Sequence, residues 1–202
     1  MDIFHYDNGL FLTRAGLGVD VRRRQPRCFV SHAHADHMAR HEMAWATPAT
    51  GRLYRHRLGA RHRVREMEYR QPAELGSLRL TAYPAGHCLG SAMLLADDGD
   101  TSLLYTGDFK LGPSATSVAA ELPSADILVM ESTFGRPDYR LPAREDTIAQ
   151  LVETDKNQGI VCELADLTAQ RAMFFQPELR AQGSDPLSAS GLRSGRFGRL
   201  AG

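Results

Sequence analysis

A divalent cation in a protein is held by imidazole and carboxylate groups brought to one point. The segment Ser31-His32-Ala33-His34-Ala35-Asp36-His37 supplies four such groups within six positions. From the composition of the chain, three His and one Asp would fall in an H-x-H-x-D-H pattern by chance about 0.001 times, which separates the motif from an incidental polar loop. In an extended turn, His32 and His34 point the same way and hold one ion. As the chain curls afterwards, Asp36 and His37 swing toward a second position. Zn²⁺ suits these donors, and Mn²⁺ is the alternative.

Two further segments extend the set. His87 lies in Pro84-Ala85-Gly86-His87-Cys88-Leu89-Gly90-Ser91, a glycine-rich bend after an expected strand, and would be the third imidazole on the first ion. Asp108, in Tyr105-Thr106-Gly107-Asp108-Phe109, ends an apolar strand where an unpaired carboxylate is costly to bury. A bridge between two metals resolves that cost, and an ordinary strand-end turn is the other reading. Asp20 closes Leu17-Gly18-Val19-Asp20 and either orients the metal loop by hydrogen bonding or marks a plain turn. Glu131 follows an apolar run and stands at a strand end. Residues 52–70 carry seven Arg, among them Arg52, Arg55, Arg57 and Arg61. They are either a track for a phosphate backbone or a solvated face.

The elements that must place these side chains are mostly short strands. Expected strands are 3–6 and 10–13, flanking an Asp-Asn-Gly turn, then 17–21, 27–31, 64–69, 77–83, 92–96, 102–106 and 127–131. Expected helices are 36–43, 48–58 with Pro48 in the first turn, and 142–154 with Glu145 and Asp146 in the first turn. A strand at 160–164 and a helix at 167–175 follow, and 176–202, rich in Gly, Ser, Arg and Pro, reads as a disordered tail. Met38, Met43, Trp45 and Met93 are expected in the core or the site wall.

At 202 residues, with 43% apolar and 24% charged residues, the chain has the composition of a globular protein. Its 24 basic and 24 acidic residues exclude a basic nucleic-acid tail and an acidic low-complexity protein. The charges are unevenly spread. Residues 1–70 hold 13 Arg against 7 Asp and Glu, a net of +6, and residues 71–202 hold 11 basic against 17 acidic residues, a net of −6. No apolar run approaches the roughly 18 residues of a membrane span. The start lacks a signal-peptide pattern, and Cys28, Cys88 and Cys162 are odd in number and far apart. The expected compartment is the cytoplasm, with no membrane partner.

SHAHADH, GHCLGSAM, TGDF and ESTFG, in this order over about residues 3–170, resemble the metallo-β-lactamase fold. More narrowly they resemble its β-CASP branch of nucleic-acid-processing nucleases, including bacterial exonucleases of the RNA-processing and DNA-ligase-associated types. The resemblance implies an α/β αββα sandwich, incomplete, at 1–155, the start of a β-CASP-like insertion at 156–175, and a tail at 176–202. It implies that His32, His34 and His87 hold one zinc, that Asp36 and His37 hold the other, and that Asp108 bridges. Asp20 matches the first-motif aspartate and Glu131 the first β-CASP acidic position. The family's second metal takes a further downstream His, and another downstream His serves as general acid. Histidine does not occur after His87 here, so the second site is expected to be incomplete and the chain to be C-terminally truncated. The implied activity is metal-dependent phosphodiester hydrolysis on RNA or DNA, with a DNA ligase as a candidate partner. A non-catalytic zinc-binding fragment and a thioester or lactone hydrolase of the same superfamily are the alternatives.

Overall fold

The computed structural model describes residues 2–158 apart from 115 and 141. The expected strand at 160–164, the helix at 167–175 and the tail at 176–202 lie outside the described residues.

Six short strands form a first sheet: β1 (Phe4–Tyr6), β2 (Leu10–Leu12), β3 (Leu17–Val19), β4 (Arg27–Phe29), β5 (Met43–Ala46) and β6 (Val64–Glu66), in that spatial order. The Asp-Asn-Gly segment makes the expected hairpin between β1 and β2, with Asn8 and Gly9 both at positive φ. From β3 to β6 the strands run parallel. A second sheet takes β7 (Pro72–Leu75), β8 (Leu78–Pro84), β9 (Ala92–Asp97), β10 (Ser102–Tyr105) and β11 (Ile127–Val129), ordered β11-β10-β9-β8-β7. Proline opens β7, which is an edge strand, the position where a missing ladder N–H is tolerated.

One apolar cluster joins the two sheets. Leu12, Leu17, Val19 and Phe29 from the first are buried with Leu78, Leu80, Leu94 and Leu103 from the second. The outer face of the first sheet is covered by α1 (Pro48–Leu58), whose Tyr54 is buried with Val30, Ala44 and Ala46. Thr47 caps α1 by accepting from the Thr50 N–H, and Pro48 takes its first position, where no amide hydrogen is needed. The last helix, α2 (Arg144–Gln158), starts two residues later than expected, with Glu145 and Asp146 in its first turn. Two sheets packed face to face, with α1 on the outer face of the first, agree with the sandwich that the sequence resemblance implies.

The helix expected at 36–43 is not formed. Ala35–His37 is a single 3₁₀ turn, and the chain is extended by Met38 and enters β5 at Met43. β5 is flanked on both sides, by β4 and β6, so Ala44, Trp45 and Ala46 are buried, and a strand there satisfies the backbone that a helix would have taken out of the sheet. Met38, Trp45 and Met93 are buried as expected, and Met43 is partly buried against the core.

His41, in the loop before β5, is buried at 2% exposure, and its Nδ1 accepts from the Gln25 N–H at 3.2 Å. Burial is the main cause that pushes its pKa down from 6.5 to about 4. A folded-state pKa below the unfolded value contributes stability that is complete above about pH 6.5 and is lost as pH falls toward 4. The expected loss is about 3 kcal/mol over that window, at 1.36 kcal/mol per pK unit. Chemical denaturation of the wild type and His41→Gln at several pH values checks this, since glutamine keeps an acceptor but does not titrate. A variant with an unchanged acid slope would refute it.

Candidate metal centre

All the candidate groups leave the sandwich at one edge. β3, β4 and β5 are parallel, so Asp20 and the His32 loop follow strand ends that lie side by side. In the second sheet β9 is antiparallel to both β8 and β10, and β11 is parallel to β10. The segments after β8, β10 and β11, which carry His87, Asp108 and Glu131, therefore also emerge together. The two halves are stitched where they meet, as the Ala92 N–H donates to the Ser31 carbonyl at 2.8 Å. Gly107, at φ 54°, sits so close to Ser31 that a Cβ there would lie 2.8 Å from the serine Cβ and Oγ.

One ligand atom each from His32, His34, His87 and Asp108 lies within 4.8 Å of the others. His34 Nδ1 is 2.9 Å from His32 Nε2 and 3.3 Å from His87 Nε2. A ring proton on His34 Nδ1 could serve only one of these contacts well, and the imidazoles are held neutral. Burial first, then the neighbouring histidines, push the His32 pKa far down, and the same causes lower His87 to about 4. The pKa of His34 also falls, again chiefly through burial. Neutral nitrogens turned toward one another, with a carboxylate beside them, fit a divalent cation.

The carboxylate of Asp108 faces two ways. Its Oδ2 lies 3.7 Å from His32 Nε2 and 3.5 Å from His87 Nε2, and its Oδ1 lies 3.5 Å from His37 Nε2. His37 Nε2 is in turn 3.6 Å from Asp36 Oδ2. One oxygen each of Asp36 and Asp108 thus lies close to the same His37 nitrogen. Burial pushes the Asp108 pKa up, the His37 charge opposes this, and Glu131, Asp36 and Asp20 add to the rise. For His37 the burial effect is outweighed by Asp20, Asp108 and Asp36, and its pKa rises.

Asp20 is the hub beneath this arrangement, its side chain 4% exposed. Its Oδ2 accepts from the Ser31 hydroxyl at 2.5 Å and the Tyr105 hydroxyl at 2.9 Å, and lies 2.9 Å from His37 Nδ1, while Oδ1 accepts from the Ser31 N–H at 2.8 Å. Ser31 Oγ is also 2.9 Å from His32 Nδ1, so one carboxylate orients both His37 and His32. The backbone of Asp20 is left-handed, at φ 47°. Ser31 and Tyr105 were not singled out in the sequence, although each is adjacent to a recognised motif. Ser91 was missed as an anchor too. Its hydroxyl accepts from the N–H groups of His87 and Cys88, and the Gly90 carbonyl accepts from the hydroxyls of Thr47 and Thr50.

The remaining candidates divide. Glu131 follows β11, its Oε2 accepting from the Thr133 N–H at 2.7 Å, and its charge is felt at Asp108. Of the arginines, Arg55 is tied to Glu66 at 3.2 Å, and Arg52 and Arg61 are exposed. Arg57 is exposed, and its charge lowers the pKa of His34. Among the described residues no helix is long and apolar enough to cross a membrane.

The sequence profile of the β-lactamase superfamily domain matches residues 24–175. A probable DNA ligase of Opitutus terrae is 40% identical over 161 residues, 77% of this chain and 16% of that protein. The 5′ exonuclease Apollo of Gallus gallus is 33% identical over 133 residues, 62% of this chain and 29% of that one. The endoribonuclease YSH1 of Eremothecium gossypii is 32% identical over 131 residues, 62% of this chain and 17% of that one. The chain thus spans less than a third of each of these relatives. Its profile match covers most of its length, its relatives include proteins named as an exonuclease and an endoribonuclease, and its histidines and Asp108 converge at the sandwich edge: the chain belongs to the metallo-β-lactamase superfamily, whose fold implies divalent metal binding.

Proposed function

We propose that this chain carries the metal centre of a nuclease that hydrolyses phosphodiester bonds of RNA or DNA. The observation that carries this reading is the two-sided Asp108 carboxylate, one oxygen toward His32 and His87 and the other toward His37. A carboxylate so placed would hold a cation on each side, and such a pair would supply the chemistry of in-line displacement at phosphorus. The relatives named as exonuclease and endoribonuclease support the substrate class. Three imidazoles and a carboxylate favour Zn²⁺ in the first position, held by His32, His34, His87 and Asp108. Asp36, His37 and Asp108 offer the second position fewer donors, and Mn²⁺ is a competent substitute.

A divalent pair supplies Lewis acidity, polarising the phosphoryl group and making water a better nucleophile near neutral pH. The chain's own residues position that chemistry. Asp20 and Ser31 fix the ring orientations of His37 and His32, Ser91 fixes the His87 backbone, and Glu131 adds negative charge beside Asp108. Arg57 draws the phosphate backbone toward the His34 side. The buried free thiols of Cys28 and Cys88 support a reducing, cytoplasmic setting. The match to a probable DNA ligase supports action beside a ligase on DNA ends.

The test loads the chain with Zn²⁺ or Mn²⁺, measures bound metal by elemental analysis and follows labelled single-stranded RNA and DNA. Metal uptake with cleavage is expected. Arg57→Ala should weaken substrate binding and lower the salt slope by about 0.7, the contribution of one phosphate contact on a single strand. Bound metal with no substrate cut would leave the non-catalytic zinc-binding reading in place.

A further inference from the structure

The basic run Arg22-Arg23-Arg24 lies just after Asp20, and its three side chains are used differently. Arg23 is paired with Asp7 at 2.9 Å and Arg24 with Glu42 at 3.3 Å, acids with no other part in the site. Arg22 turns to the metal centre. Its Nε donates to the Asp36 carbonyl at 2.8 Å, and its Nη2 stands 3.8 Å from Asp36 Oδ2, outside hydrogen-bond distance. One of the five N–H donors of the guanidinium therefore anchors it to the 3₁₀ turn at Ala35–His37, and the side chain remains 74% exposed.

This placement is electrostatically odd for a purely structural arginine. Asp36 is a donor of the proposed second metal position, so a cation bound there would withdraw its carboxylate from Arg22. A divalent cation held by Asp36 would repel the neighbouring guanidinium, and an anion bound to both would remove the conflict. A phosphodiester suits the position, because its two non-bridging oxygens match the planar fork of arginine. Arg57 brings a second positive charge to the His34 side of the centre.

We propose that Arg22 is a substrate-binding residue of the metal centre, taking the non-bridging oxygens of a phosphodiester of the nucleic-acid strand on the Asp36 side. The inference rests on the nuclease reading and adds a residue to it. Its sign distinguishes it from a structural role. An arginine that merely holds Asp36 in place would, when removed, weaken metal binding. An arginine kept for phosphate would, when removed, leave metal binding equal or tighter and weaken the nucleic acid.

The experiment uses the Zn²⁺-loaded chain and its Arg22→Ala and Arg22→Lys variants. Three quantities are read: Zn²⁺ affinity by chelator competition, anisotropy of a labelled single-stranded oligonucleotide against salt, and hydrolysis of bis(p-nitrophenyl) phosphate. For Arg22→Ala we expect oligonucleotide binding about tenfold weaker, a salt slope lower by about 0.7, and Zn²⁺ affinity undiminished. Arg22→Lys should restore the slope with only part of the affinity, since it keeps the charge and loses the fork. Wild-type oligonucleotide affinity and slope in Arg22→Ala overturn the inference, as does a loss of Zn²⁺ in that variant. If the wild type hydrolyses the small diester while Arg22→Ala leaves oligonucleotide binding unchanged, only the Arg22 role falls. If the wild type binds Zn²⁺ but neither holds the oligonucleotide nor hydrolyses the diester, the nuclease reading falls and takes the inference with it.

Discussion

Asp108→Ala is expected to remove nuclease activity by at least a thousandfold, roughly the several kcal/mol that metal placement supplies, and to lower bound metal, while the chain stays folded. The two oxygens of Asp108 face His32 and His87 on one side and His37 on the other, so under the proposed assignment its loss would remove a ligand from each position at once. The stability argument runs the other way. Burial and the nearby Glu131, Asp36 and Asp20 raise the pKa of Asp108. A raised carboxylate pKa means that the charged form costs stability near neutral pH, a cost relieved as pH falls through the raised value. Without metal, the alanine variant should therefore unfold no earlier than the wild type at pH 7. Denaturation midpoints, elemental analysis and cleavage rates together read the three effects. Full activity in Asp108→Ala would refute the site assignment, and a collapse in stability would refute the charge argument.

Asp20→Asn is the second large effect. The substitution keeps shape and one oxygen but puts an N–H₂ group where donors already converge. With the amide oxygen facing the Ser31 N–H, the NH₂ meets the Ser31 hydroxyl, the Tyr105 hydroxyl and His37 Nδ1, and flipping the amide sets it against the Ser31 N–H instead. In the first orientation the two hydroxyls lose the carboxylate oxygen they donate to and must turn to accept instead, and in the flipped one two donors face each other, at a cost of about 1–3 kcal/mol. His37 loses its partner directly and His32 loses the fixed position of Ser31 Oγ. Metal affinity should fall by about 10–100-fold, the usual weight of a residue that orients a ligand, at both positions. Chelator competition measures this. Loss at the His37 position alone would mean that Ser31 orients His32 without help, and unchanged affinity at both would remove Asp20 from the metal site.

Much of the candidate cluster was legible because residue types that can bind a metal recur at short spacing. His32, His34, Asp36 and His37 lie within six positions, and His87 and Asp108 each sit in a glycine-containing bend after an apolar strand. The segment after His37 was less legible. A helix is expected at 36–43, but the place between β4 and β6 is filled by Met43–Ala46 as β5. Local pattern does not carry sheet neighbours that are distant in sequence.

Residue types and their order along the chain already set which atoms can bind a metal. Which of them meet depends on how the strands pack. Asp20 and Tyr105 are 85 positions apart, yet their oxygens are 2.9 Å apart because the ends of β3 and β10 lie at one edge of the sandwich. The same holds for the arginines. Arg55, Arg57 and Arg22 are alike in composition, but Glu66 neutralises the first, α1 places the second where its charge lowers the pKa of His34, and the turn at Asp36 anchors the third. Charge and donor type are properties of a residue. Its partner is set by the packing of strands and helices, whose free energy comes mostly from apolar side chains such as Leu12, Phe29, Leu80 and Leu103 that take no part in the chemistry.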